Sequence, residues 1–112
     1  MEKQRIFEDH HQTSLEEHSI KLLKDLDFCV FDLETTGGNH DHDKIIEIGL
    51  IKIQGLKIIE KKHFLINPEI KIPDFIQKLT SISQSDVEKC PKIHEVINEI
   101  LDFMGNSVLV AH

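Results

Sequence analysis

The sequence predicts an α/β fold built on a mixed sheet, and three observations carry that prediction. Phe28-Cys29-Val30-Phe31 is an unbroken apolar run of strand length. Two Ile-rich segments, Ile45–Ile53 and Lys57–Ile66, flank the turn signal Gln54-Gly55 and read as a hairpin. Beyond them, Ile93, Val96, Ile97, Ile100, Leu101 and Met104 recur at helical spacing, and a last β-rich segment, Ser107–Ala111, follows. The expected order is three antiparallel strands, a crossover helix, and a fourth strand parallel to the first. A parallel return needs a connection of about a dozen residues or more, which the helix supplies.

Each element has its local reason. Residues 1–26 are polar, rich in His and Glu, and read as an N-terminal extension. From Leu15 their apolar residues fit a short amphipathic helix, with Thr13 or Ser14 as cap and Glu16 and Glu17 in its first turn. This helix is expected to pack on the main body, residues 27–112. Phe28–Phe31 is expected to be buried on both faces. Thr35 to Asp43 is a polar, glycine-bearing connection. Asn67-Pro68 closes the hairpin, Pro73–Leu79 suits a short helix with proline at its first position, and Ser83–Asp86 opens another helical turn. Pro91 starts the crossover helix and Gly105-Asn106 ends it.

Composition bounds the function without choosing it. A chain of 112 residues supports one modest core, which must rest on Ile, Leu, Val and six Phe because Trp and Tyr are missing. No apolar run approaches the ~18 residues of a membrane span. The opening residues show no signal-peptide pattern, so a cytoplasmic location without membrane partners is expected. Cys29 lies in an apolar run and Cys90 precedes a proline, which suits two unpaired thiols. The net charge of −7 argues against a binder that grips nucleic acid through a basic face. It does not exclude an enzyme whose carboxylates hold divalent cations, because such ions reverse the local field.

Asp32 and Glu34 carry the chemistry. They follow the first strand two residues apart, and side chains at i and i+2 of extended chain share a face. Carboxylates so placed converge on hard cations about 3.5–4 Å apart, the spacing used for in-line phosphoryl displacement. Oxygen ligands favour Mg²⁺ or Mn²⁺ over zinc. A bare Asp-x-Glu also ends many strands with no function, so the surrounding string must decide.

That string is Phe31-Asp32-Leu33-Glu34-Thr35-Thr36-Gly37, followed by Ile45-Ile46-Glu47-Ile48-Gly49. It resembles the Asp-Glu-Asp-Asp family of 3′→5′ exonucleases, the group containing the proofreading subunit of bacterial DNA polymerase III. The likeness continues through Asn67-Pro68, Leu79-Thr80-Ser81-Ile82-Ser83 and Leu109-Val110-Ala111-His112, so it covers about residues 27–112.

The resemblance implies a ribonuclease-H-like sheet whose final helices lie beyond the matched part. It implies a two-metal exonuclease acting on nucleic acid 3′ ends, proofreading single-stranded DNA beside a polymerase catalytic subunit, with two Mg²⁺ or Mn²⁺ ions. Asp32 and Glu34 match the first two metal-binding carboxylates. Thr35, Thr36 and Gly37 match a turn whose backbone and hydroxyls hold the terminal nucleotide. Leu79 and Thr80 match residues set against the 3′-terminal base, although Leu79 equally suits a core. Ser81 replaces a glycine common at its position. His112 matches the start of the second motif and is not the general base, which belongs to a later motif together with the remaining carboxylates. The chain alone is therefore expected to be inactive. The alternative is a non-catalytic module, derived from an exonuclease domain, that binds nucleic acid or a polymerase.

Three secondary features have quieter readings. His40-Asp41-His42-Asp43 reads as a solvated connection rather than a metal site. Lys57, Lys61 and Lys62 form a weak basic patch, or simply guard an edge strand. Glu47, inside an apolar strand, either finds a partner or faces the metal cleft.

Overall fold

The hairpin sets the frame. In the computed structural model, which describes residues 14–20 and 22–112, β2 (Ile45–Gln54) returns as β3 (Lys57–Leu65) through Gly55 and Leu56. Both turn residues have positive φ, 56° and 64°, as a two-residue hairpin whose twist matches its strands requires. β1 (Asp27–Thr35) pairs antiparallel with β2 and parallel with β4 (Val108–Ala111), giving the sheet order β3-β2-β1-β4. This is the mixed sheet expected from the sequence.

The helices are α1 (residues 14–20 and 22–24), α2 (Asp74–Thr80), α3 (Gln84–Val87) and α4 (Ile93–Met104). Pro73 sits one place before α2, as its cap residue and not inside its first turn. Ser83 and Asp86 form a capping box at α3. The Glu95 carboxylate accepts the Lys92 amide at 3.1 Å to open α4, and Gly105 ends it by donating to the Leu101 carbonyl at 2.9 Å. Among the described residues no helix is long and apolar enough to cross a membrane.

One face of the sheet is packed. Cys29, Ile48 and Leu50 meet Val96, Ile100 and Phe103 of α4, together with Ile66. Next along β2, Ile46 joins Ile72, Ile76, Ile82 and Val87 of the α2–α3 segment. Lys62 belongs to this face too: its ammonium holds Glu99 at 2.9 Å and lies over the Phe103 ring. The opposite face carries Val30, Asp32, Glu34, Glu47, Gly49, Ile51, Lys61 and His63, by strand alternation and register.

Four expectations are corrected. The Phe28–Phe31 run is buried on one face only: Cys29 is wholly covered, whereas Val30 on the other face is half-buried. The strand also continues through Thr35, so Asp32 and Glu34 lie inside it rather than just past its end. In α4 the buried stripe is Val96, Ile100 and Phe103, with Ile97 and Leu101 exposed on the flank of a wider apolar arc. Spacing picks out Val96 and Ile100 but not Phe103, and the sheet decides which part of the apolar arc is covered. In α1, Leu15, Ile20, Leu22 and Leu23 stay exposed, so the expected packing on the body is not seen, and Thr13 lies outside the described residues. Cys29 and Cys90 are both free thiols, as expected.

Candidate active site

Asp32 and Glu34 lie on the open face of β1 because two residues along a strand restore the same direction. Across the ladder Asp32 faces Gly49, and Gly49 faces His63 of β3. A Cβ built on Gly49 meets nothing within 4 Å, so there is open ground beside the Asp32 carboxylate. Glycine inside an otherwise Ile-rich strand is the sequence signal for such close access. Asp32 itself is 54% exposed.

The adjoining row pairs Glu34 with Glu47. The Glu47 carboxylate is bonded to the His63 imidazole at 2.8 Å. Glu47 therefore has the partner that one of its two readings required, and by register it lies on the same sheet face as Asp32 and Glu34. Val30, Asp32, Gly49, Ile51, Lys61, His63 and His112 help line an open groove of about 460 Å³.

His112 arrives at Asp32 by backbone pairing. Its amide donates to the Phe31 carbonyl at 2.9 Å, continuing the β1–β4 register. Its Nδ1 then lies 3.8 Å from Asp32 Oδ2, too long for a hydrogen bond but close enough for attraction when the ring is protonated.

The turn after β1 is built more tightly than its sequence suggests. Thr36 is 1% exposed, and its hydroxyl donates to Asp43 Oδ1 at 2.8 Å while accepting the Lys44 amide at 3.0 Å. That hydroxyl is spent inside the protein, which corrects the expectation that both threonine hydroxyls face a nucleotide. Thr35 donates to the Gly37 carbonyl. Asp43, read from sequence as part of a solvated stretch, is instead the anchor of the loop, whereas His40, Asp41 and His42 are exposed. The Asn39 amide and the Thr36 hydroxyl hold its carboxyl below the usual carboxylate range, partial burial opposes them, and the nearby His42 adds to the lowering.

On α2, Leu79 is 77% exposed, which removes the core reading. Phe75, one turn earlier on the same side and 67% exposed, escaped the sequence reading. Thr80 bonds back to the Ile76 carbonyl at 2.8 Å and receives the Ile82 amide at 3.2 Å, so its hydroxyl finishes the helix. Ser81 adopts the left-handed conformation, φ 62°, that glycine accepts without strain.

Among the described residues no group of three or more His, Cys, Asp or Glu is poised around one metal position. The pair Asp32 and Glu34 nevertheless suits a hard cation that keeps most of its own water, since Mg²⁺ commonly takes one or two carboxylates.

Comparison with known proteins bears on the family and the fold. DNA polymerase III PolC-type of Caldanaerobacter subterraneus subsp. tengcongensis is 48% identical over 86 residues, covering 77% of this chain and 6% of that protein. The 3′-5′ exonuclease DinG of Staphylococcus haemolyticus is 42% identical over 85 residues, covering 76% of the chain and 9% of its own length. The chain thus spans less than a tenth of either relative. Exonuclease X, in complex with 5′ overhanging duplex DNA, superposes with a TM-score of 0.66 at 26% identity, covering 76% of this chain and 48% of that one. Exonuclease I superposes at 0.69 with 15% identity, over 78% of this chain and 20% of that one, which speaks to fold alone. The exonuclease family pattern, RNase_T, matches residues 29–112, and the chain belongs to that family.

Proposed function

We propose that residues 27–112 form the first part of a two-metal 3′→5′ exonuclease site, with residues 1–26 an extension outside it. The reaction is hydrolysis of the terminal phosphodiester of a nucleic acid 3′ end, releasing nucleoside 5′-monophosphates. The observation that carries this reading is the placement of Asp32 and Glu34 side by side on an open sheet face, with Gly49 leaving room next to them. An all-oxygen donor pair selects Mg²⁺ or Mn²⁺. Two such ions, when bound, supply activation of a water at neutral pH and neutralise charge on the departing 3′-oxygen.

The chain's own residues hold and orient. Asp32 and Glu34 anchor the cations. The backbone of Thr35, Thr36 and Gly37 shapes the seat of the terminal nucleotide. Leu79, apolar and exposed at the end of α2, offers a surface for the 3′-terminal base, and Thr80 fixes that helix end beneath it. Lys61, on the carboxylate face, offers positive charge to the phosphate backbone. His112 marks the start of the second motif beside Asp32 and does not serve as the base.

The substrate in this proposal is single-stranded DNA, and the role is proofreading beside a DNA polymerase catalytic subunit in the cytoplasm. The names of the relatives, DNA polymerase III PolC-type and 3′-5′ exonuclease DinG, support the polymerase context and the 3′→5′ direction. The intact carboxylate pair weighs against a module that only binds.

The test joins this chain after His112 to the segment that follows the matched region in the C. subterraneus relative. Mg²⁺-dependent degradation of 5′-labelled single-stranded DNA is then followed as a shortening ladder. Asp32→Ala is expected to remove nearly all of it without changing the circular dichroism spectrum. Activity that survives this substitution sinks the proposal.

A further inference from the structure

We propose that Asp43 is a positioning residue for the Thr35–Gly37 turn, and through that turn for the terminal nucleotide. Both its carboxylate oxygens are committed to the loop. One accepts the Thr36 hydroxyl at 2.8 Å and the other the Asn39 amide at 2.7 Å. The Thr36 hydroxyl passes the connection on by accepting the Lys44 amide at 3.0 Å, while the Thr36 amide donates to the Lys44 carbonyl at 2.9 Å. Asn39 folds the loop tip inward: its carbonyl receives the amides of His42 and Asp43, and its side chain receives that of Asp41. The result is a loop clamped across its base, between the end of β1 and the start of β2.

Gly37 supplies the second, independent observation. A Cβ at that position would lie 2.6 Å from Asp43 Oδ2 and 2.9 Å from its carboxyl carbon. Such contact is far inside van der Waals distance, so the carboxylate rests directly on the backbone of residue 37. Gly37 does not have positive φ, so its lack of a side chain answers to the space Asp43 fills and not to backbone strain. The clamp begins two residues past Glu34, next to the register shift between Glu34 and Thr35. Loosening it displaces the turn relative to the carboxylate pair, and a displacement of about 1 Å is enough to spoil a positioned site.

This role rests on the reading of residues 35–37 as a nucleotide seat, and the experiment separates the two. The 112-residue chain is titrated with dTMP in the presence of Mn²⁺, and amide exchange is followed by NMR. Asp43→Ala is expected to speed exchange of the Asn39 and Lys44 amides and to weaken dTMP binding about tenfold, since hydrogen bonds to a charged acceptor are lost. Protection in α4 and in the β2–β3 ladder should not change. Asp43→Asn, which keeps an acceptor, should restore part of both. Gly37→Ala should loosen the loop in the parent chain yet add little in the Asp43→Ala background, because the carboxylate it collides with is gone. Undiminished dTMP binding in Asp43→Ala overturns the role of Asp43 alone. A parent chain that binds no dTMP overturns the nucleotide seat itself, and the role with it.

Discussion

Glu34 and Glu47 stand directly opposite one another across the β1–β2 ladder, on the same face of the sheet. Like charges so placed oppose pairing by roughly 0.2–1 kcal/mol. His63 takes up Glu47 at 2.8 Å, whereas the Glu34 carboxylate makes no hydrogen bond or ion pair among the described residues. On the proposed function, a divalent cation bound at Glu34 would relieve this repulsion.

Glu34→Gln is therefore expected to stabilise the metal-free chain while removing its response to metal. The gain corresponds to a Tm rise of about 1–5 °C for a domain of this size. Mn²⁺ should raise the Tm of the parent chain and leave the variant unmoved, because binding to the folded state alone is what shifts the equilibrium. Thermal melts with and without Mn²⁺ decide it. A variant that still responds to Mn²⁺ takes Glu34 out of the ligand set.

Ser81 offers an independent gain. Its φ of 62° costs a non-glycine residue roughly 1–2 kcal/mol, and glycine at the position just after a helix removes most of that. Part of the gain is lost to the freer unfolded chain. Ser81→Gly should thus stabilise by about 0.5–1 kcal/mol in urea unfolding, with no change in the slope. Destabilisation would mean that the Ser81 side chain makes a contribution its exposed position does not suggest.

Leu79 and Ile76 sit one turn apart on α2 and should separate cleanly. Ile76 is buried among Ile46, Ile72, Ile82 and Val87, so Ile76→Ala should cost about 2–5 kcal/mol. Leu79→Ala should change stability by less than about 0.5 kcal/mol, as an exposed side chain does, and yet weaken dTMP binding. Equal stability losses in the two variants would return Leu79 to the core.

These contrasts mark where the sequence was legible. Strand alternation placed Asp32 and Glu34 on one face, and the Ile-rich hairpin and helical spacing placed the sheet and α4, because those signals are local and periodic. Burial depends on what packs from elsewhere. Phe28–Phe31 reads the same whether one face or both are covered, and Ile97 differs from Phe103 only by the direction of the sheet below it. Asp43 was hidden for another reason. Its partners Thr36 and Asn39 are near in sequence, but a loop has no period, and His40-Asp41-His42-Asp43 gives no hint which carboxylate turns inward. Gly49 was readable as a gap in a strand, although its neighbour Asp32 becomes evident only from the register.

Cys29 gives a prediction with a definite pH sign. Its thiol is wholly covered by the α4 face, and burial pushes its pKa above the ordinary thiol value of 9.0, with Lys52 pulling weakly the other way. The folded state thus resists ionisation that the unfolded chain accepts. The contribution is fully present below the unfolded value and is lost as pH rises past it, because the native state then binds more protons than the unfolded one. The Cys29 contribution should be flat through neutral pH and fall away above about pH 9. Cys29→Ala should show a shallower decline over the same window, though from a lower starting point because it leaves a small void. In the parent chain at neutral pH, thiol reagents should reach Cys90 first and Cys29 only on unfolding, since a buried protonated thiol is a poor nucleophile. Rapid labelling of Cys29 in the folded chain would show that α4 does not hold against the sheet, and would remove the support on which the Asp32 strand rests.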